Sequence, residues 1–381
     1  MNALRRVRKL SGHGLLMLAA ATSVLALTGL GPGRAGATSP TPPLSPNLVA
    51  CQHDVRIPVA LSPGQPASAI ISGEFCSTAP ERHFGPTVQL LIAGATYAHD
   101  YWDFGVVDGV SYSYARAVAA HGEATFAIDP LGQGNSTRLS SGLITAQTDA
   151  FVDHQVVNAL RDGKVGGVRF AKVIAVGHSL NSLIVWDEAV AYHDVDGIIV
   201  TGAAHSLATA FATSGDLYPA IQDPKFAATG LDSGYLTTRP GTRQFLFYHL
   251  PDADPAVIAL DETRKDVVSG TELNTALPVL ASRATEAIDV PVLDILGSND
   301  LTTCGPNTQG RTFDCSSAAA VVAQEAAFYS AQAHLEACVI PGSGHDISLA
   351  LNHDLQVADT VAWSQGFLGH GGGGPLPRNC S

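Results

Sequence analysis

Two patterns alternate along most of this chain, and their alternation constrains the fold more than any other feature. One is a short, uninterrupted apolar run: "TVQLLIAG" (87–94), "ATFAID" (124–129), "KVIAVGHS" (172–179), "VDGIIVTGAA" (195–204), "VPVLDILG" (290–297) and "LEACVIPG" (335–342). Runs of that length suit strands buried on both faces. The other pattern sets apolar residues at helical spacing: "SYSYARAVAAHG" (111–122), "TAQTDAFVDHQVVNALRDG" (145–163), "LNSLIVWDEAVAYH" (180–193), "SAAAVVAQEAAFYSAQ" (317–332) and "LQVADTVAWSQGFLG" (355–369). Strand and helix in turn predict an α/β fold, a mainly parallel central sheet flanked by helices. "VRIPVAL" (55–61) and "ASAIISGEF" (67–75) read as a hairpin ahead of it. With 381 residues, 46% hydrophobic and 14% charged, the chain has ample material for such a core.

The alternation loosens over about 205–287. Aromatic residues, prolines and turn dipeptides gather there, as in "LDSGYLTTRPGTRQFLFYHLPDADP" (231–255). That stretch reads as a cap-like insertion above the carboxyl ends of the strands, the edge at which open α/β sheets bind ligands. The organisation expected is a signal peptide (1–37), a linker and first hairpin (38–85), a catalytic domain (86–370) and a short tail (371–381).

The leader assignment rests on "RRVRK" (5–9), the apolar "GLLMLAAATSVLALTGL" (14–30) and the small residues "AGA" (35–37), which predict cleavage before Thr38 and secretion. No later segment has the length and apolarity of a membrane span. The net charge of −13 becomes more negative, to about −18, once the five basic residues of the leader are lost; such a surface argues against nucleic acid and anionic lipid as partners. Behind a secretion signal, six cysteines suggest three disulfides. Fifteen pairings are open. Neighbour pairing is the simplest: Cys51 with Cys76, Cys304 with Cys315, Cys338 with Cys380. A zinc site is the competing reading, and no C-x-x-C pair supports it. No metal, nucleotide or phosphate-loop motif appears, so no cofactor is expected.

"VIAVGHSLNS" (173–182) carries a buried strand into a serine and on into a helix. A serine hydroxyl is a poor nucleophile without a base, and the base needs an acid to set its tautomer. Partners for Ser179 follow in the required order. "PVLDILGSND" (291–300) is a strand and a polar turn ending in Asp300. "CVIPGSGHDI" (338–347) is the last strand, then a glycine-rich turn and His345. The rival acids are worse placed: Asp289 precedes its strand and Asp294 lies within it. Of the rival histidines, His178 adjoins the serine on a sharp turn and is directed away from it.

With those residues in view, the sequence resembles the α/β-hydrolase family, and within it secreted serine hydrolases of esterase or lipase type. "GHSLN" (177–181) resembles the nucleophile elbow, and "GSND" and "GSGH" the acid and base loops. "DPLGQGNS" (129–136) and "IAGATYAHDYWD" (92–103) resemble the loop before the elbow and the oxyanion loop. The resemblance spans about 86–370. It implies Ser179, Asp300 and His345 as the triad, and backbone N–H groups of Leu180 and of Ala95 or Thr96 as the oxyanion hole. The implied substrate is a small-molecule or lipid-like carboxylic ester. Tyr97, Trp102, His178 and Asn181 are candidates to contact it; Tyr97, Tyr101, Trp102 and Asp103, which follow the oxyanion-like loop, either line the pocket or pack beneath it. Two departures stand out. Asn181 occupies the elbow's second glycine position, where its bulk is expected to perturb packing or its amide to reach the pocket. Ala93 stands where the family often has histidine, which leaves the backbone donors intact. The same triad could act on an amide or a C–C bond. A non-catalytic binding protein on this scaffold is the other class. Dehalogenase and epoxide-hydrolase chemistry would need aspartate at Ser179.

Overall fold

A computed structural model describes residues 49–78, 87–368 and 380. The expected signal peptide, the linker to residue 48 and most of the expected tail lie outside the described residues. Eight strands form the central sheet: β1 (Val49–Val59), β2 (Ala69–Thr78), β3 (Thr87–Ile92), β4 (Ala124–Ile128), β5 (Lys172–His178), β6 (Gly197–Thr201), β7 (Val292–Gly297) and β8 (Glu336–Ile340). Their spatial order is β1-β2-β4-β3-β5-β6-β7-β8. β1 pairs antiparallel with β2, and β2 with β4; every other pairing is parallel. The hairpin expected to stand ahead of the catalytic domain is therefore the edge of the same sheet. Cys51 and Cys76 face one another across it and are bonded.

The apolar runs are continuous because alternate residues feed two cores. Val88, Leu90 and Ile92 of β3, with Val173 and Ala175 of β5, face one cluster; Leu91, Ile174 and Val176 face the other. The first cluster is closed by α2 (Ala146–Arg161) and α3 (Leu180–Tyr192), through Val156, Leu160, Ile184 and Trp186. The second is closed by α1 (Tyr114–Ala120) and a C-terminal helix, Asp354–Leu368, through Tyr114, Val118, Val357 and Trp363. Polar caps set where helices begin: the Ser113 side chain accepts from the Arg116 N–H, and that of Thr145 from the Thr148 N–H.

Two predicted helices are shorter than their patterns. Val110–Ser113 forms a ribbon with Asp103–Val107, so α1 begins only after the Ser113 cap. The helix expected over 317–332 spans Ala318–Glu325 and then tightens into a short 3₁₀ turn. Within 205–287 lie a three-stranded antiparallel sheet (Leu217–Pro219, Tyr235–Thr238, Val268–Ser269) and the helices Pro255–Arg264 and Gly270–Ala276. Among the described residues no helix is long and apolar enough to cross a membrane.

Candidate active site

β3 has β4 on one side and β5 on the other, so the chain reverses direction across the sheet there. Such switch points open a crevice at the carboxyl ends of the strands. The loop after β3 and the turn after β5 meet in it. β5 ends at His178 and α3 begins at Leu180, which leaves Ser179 alone to make the turn, at φ 53° and ψ −121°. A non-glycine residue holds that conformation only where its surroundings impose it. Two glycines allow the close crossing. A Cβ on Gly177 would lie 2.5 Å from the Asn181 carbonyl oxygen, and one on Gly94 would lie 2.8 Å from the Ser179 Cβ.

Asp300 follows β7 and His345 follows β8, and both are buried. His345 Nδ1 lies 2.9 Å from Asp300 Oδ2 and 2.7 Å from Thr302 Oγ1. The Thr302 hydroxyl and N–H both donate to Asp300 Oδ1, at 2.8 and 2.7 Å, and the Thr303 N–H donates to it at 3.2 Å. Burial alone would raise the Asp300 carboxyl; the charge of His345 and the hydrogen bonds from His345 and Thr302 outweigh it and hold the group below its ordinary range. For His345 burial favours the neutral ring, but the Asp300 carboxylate prevails and raises its pKa. The rival acids are accounted for otherwise. Asp294 is sealed inside β7, where burial and the nearby Glu325 charge push its pKa well up, and Asp289 is exposed beside His193.

Ser179 and His345 line one cleft that opens to solvent. Its walls are mostly apolar, built from Leu180 and Leu183 and from Leu207, Phe211, Phe247 and Leu273 of the 205–287 stretch. Ala95 lies in the wall beside Ser179. Among the described residues no hydrogen bond engages the N–H of Ala95 or of Leu180. Leu180 is the donor expected after the serine, and Ala95 one of the two alternatives expected with it.

Of the expected contact residues, Tyr97 lines the cleft, and Trp102, His178 and Asn181 do not. Each of those three is buried for an identifiable reason. Trp102 packs edge-on against Tyr101 and tilted against Tyr114. His178 stacks on Tyr101 at 4.4 Å, with Nδ1 3.0 Å from Thr201 Oγ1 and Nε2 3.3 Å from Asp346 Oδ1. Burial and the His345 charge push its pKa well down, which leaves the ring neutral. Asn181 turns its amide back and donates to the Ala93 carbonyl oxygen, just ahead of Gly94 and Ala95. Thr96, the alternative donor position, does not line the cleft, and its N–H, too, is engaged by no hydrogen bond among the described residues. Tyr101 is buried in the core, and Asp103 pairs with Arg116 at 2.7 Å.

A buried polar network beneath the cleft went unread in the sequence. Arg243 and Asp261 pair within it, and the Tyr97 hydroxyl reaches both Asp261 (3.2 Å) and Asp346. Burial lifts the Asp346 carboxyl to about 6, against the pull of the His345 and Arg243 charges. The position of Asp346, directly after His345, was the available signal; nothing marked Arg243 within a loosened stretch. The cysteines pair as neighbours: Cys51–Cys76, Cys304–Cys315 and Cys338–Cys380. His154, Glu188 and Asp194 bring potential metal-ligand atoms within 4.8 Å of one another, and none lines the cleft. Both ring nitrogens of that histidine are already engaged, Nδ1 by Asp194 at 2.7 Å and Nε2 by Asn158 at 3.1 Å.

Residues 89–360 match the pattern of the alpha/beta hydrolase family. Among solved structures, the chain is similar to a thermophilic esterase from Thermogutta terrifontis, at 15% identity and a TM-score of 0.56, covering 82% of this chain and 98% of that one. It is also similar to a soluble variant of monoglyceride lipase from Saccharomyces cerevisiae, at 17% identity and a TM-score of 0.56, covering 82% of this chain and 96% of that one. At such identities the likeness is one of fold. No curated protein matches the sequence.

Proposed function

From the premise that this chain belongs to the α/β-hydrolase family, we propose that it is a serine hydrolase that cleaves a carboxylic ester with an apolar acyl group. The observation that carries this reading is the shared cleft: a serine on a strained elbow and a histidine oriented by a buried aspartate line the same mostly apolar cavity. Ser179 Oγ attacks the ester carbonyl carbon while His345 Nε2 takes its proton. Asp300 holds the Nδ1–H tautomer and favours the imidazolium. The N–H groups of Ala95 and Leu180 stabilise the oxyanion, and each such donor contributes roughly 3–4 kcal/mol to the barrier reduction. The imidazolium then protonates the leaving alcohol. A water activated by His345 next releases the acid and regenerates Ser179. Three disulfides accord with action outside the cell.

The test is labelling by a fluorophosphonate together with turnover of p-nitrophenyl esters of increasing acyl length. Wild type should label once, at Ser179, and Ser179→Ala should neither label nor turn over while remaining folded. Ester turnover that survives in Ser179→Ala would sink the assignment.

A further inference from the structure

We propose that Arg243 and Asp261, an ion pair supplied by the 205–287 insertion, are positioning residues for the oxyanion loop, acting through Thr96. The inference rests on the ester-hydrolase reading above. Its starting point is strain. Thr96 is fully buried at φ 66°. For a β-branched side chain the left-handed region is a genuine outlier, kept only where neighbours over-determine it. Both restraints on Thr96 come from the insertion. Arg243 Nη1 donates to its hydroxyl at 2.9 Å, and the Asp266 N–H donates to its carbonyl at 2.8 Å.

The arginine is itself built into place. It is 0% exposed. Its Nε and Nη2 donate to the two oxygens of Asp261, each at 2.8 Å, so the planar fork is fixed and Nη1 is left facing Thr96. The guanidinium lies 4.1 Å from the Tyr97 ring centroid and 5.1 Å from that of Phe247, two residues of the cleft wall. A wholly buried ion pair is a weak device for stability alone, because desolvation cancels much of the attraction. Here it also ends on the residue after Ala95, whose N–H is the expected oxyanion donor. On the other side of that donor, Gly94 lies against Ser179. If Thr96 relaxed to an ordinary φ, the Gly94–Thr96 segment would swing relative to Ser179. The geometry therefore couples the seating of the insertion to the aim of the oxyanion donor.

Two variants test this against a merely structural role. Thr96→Val keeps shape and β-branching but removes the hydroxyl. Arg243→Met/Asp261→Leu removes both charges of the latch together, an exchange that folded proteins often tolerate. Outright loss of an oxyanion donor lowers kcat by about 10²–10³-fold. Misplacement should lower kcat by about 10- to 100-fold in both variants, with KM within about twofold and melting temperature largely kept. Binding of a trifluoromethyl ketone analogue should weaken in parallel with kcat/KM. Thr96→Ser, which retains the hydroxyl, should lose much less than Thr96→Val. If the double variant does not fold, Thr96→Val decides. Wild-type kcat in a folded variant, or a change confined to KM, overturns the inference while leaving the hydrolase reading intact. Wild-type protein that neither labels at Ser179 nor turns over an ester overturns both.

Discussion

Asn181 replaces the family's second elbow glycine, and the consequence of removing its side chain can be worked out from its contacts. Its Nδ2 donates to the carbonyl oxygen of the buried Ala93, and its Oδ1 is buried without a hydrogen-bond partner among the described residues. Asn181→Ala takes a donor from a buried carbonyl, at a cost of about 1–3 kcal/mol, and relieves the unpaired Oδ1, which offsets part of it. The net expectation is about 1–2 kcal/mol, or about 1.5–3 °C in melting temperature for a domain of this size. Asn181→Gly should be less stable still, by up to about 1 kcal/mol, because glycine in the first turn of α3 loses more backbone entropy. Restoring the family's residue is thus expected to harm this protein. Catalysis should fall by no more than about tenfold, because the oxyanion donors remain and only the backbone before them loosens. Thermal melts and steady-state kinetics on one p-nitrophenyl ester are the assays. A hundredfold loss of kcat/KM with an unchanged melting temperature would place Asn181 against the substrate and refute this reasoning. Unchanged stability and rate would show that the bond to Ala93 carries nothing.

On the acid side, kcat/KM should fall as His345 becomes protonated, with an apparent pKa above the ordinary histidine value of about 6.5, because the Asp300 carboxylate favours the imidazolium. Asp300→Asn should lower the plateau by roughly 10⁴-fold and move that limb to lower pH, since burial alone favours the neutral ring; an acid limb that stays put would mean another group titrates. The same shift enters stability. The contribution from the raised His345 pKa is fully present below about 6.5 and is lost as pH rises through the folded value, which a pH series of denaturant melts would detect. Cys304–Cys315 closes a short loop just past Asp300, and its removal as the double serine variant should cost about 3 kcal/mol; a melting temperature equal to wild type under oxidising conditions would refute that.

The legible parts of this protein are those written in local, periodic chemistry. Each strand that had to be buried on both faces reads as an unbroken apolar run, and each helix that covers the sheet repeats its apolar residues every third or fourth position. Ser179, Asp300 and His345 could be placed at strand ends because each follows such a run across a short polar or glycine-rich turn. The candidate contact residues that do not line the cleft share a physical reason. Trp102, His178 and Asn181 sit beside the cleft in the sequence and behind it in space. Direction at a sharp turn depends on what fills the volume on either side, and here Tyr101 packs against Trp102 and His178, Asp346 lies against His178, and the Ala93 carbonyl takes the Asn181 amide.

The sequence by itself therefore determined the layers of the fold, the neighbouring cysteines available for pairing and the strand ends that could carry chemistry, because burial periodicity and turn composition act over a few residues. Only the tertiary structure decided which residues face the cleft and which support it from behind. Arg243 and Asp261 are separated by 18 positions in a stretch without periodicity, and Thr96 lies 147 positions from Arg243. Nothing local relates them. A buried charge, a strained threonine and a carboxylate become one network only when folding packs Arg243 and Asp261 against the loop after β3 and excludes the water that would otherwise satisfy each of them separately.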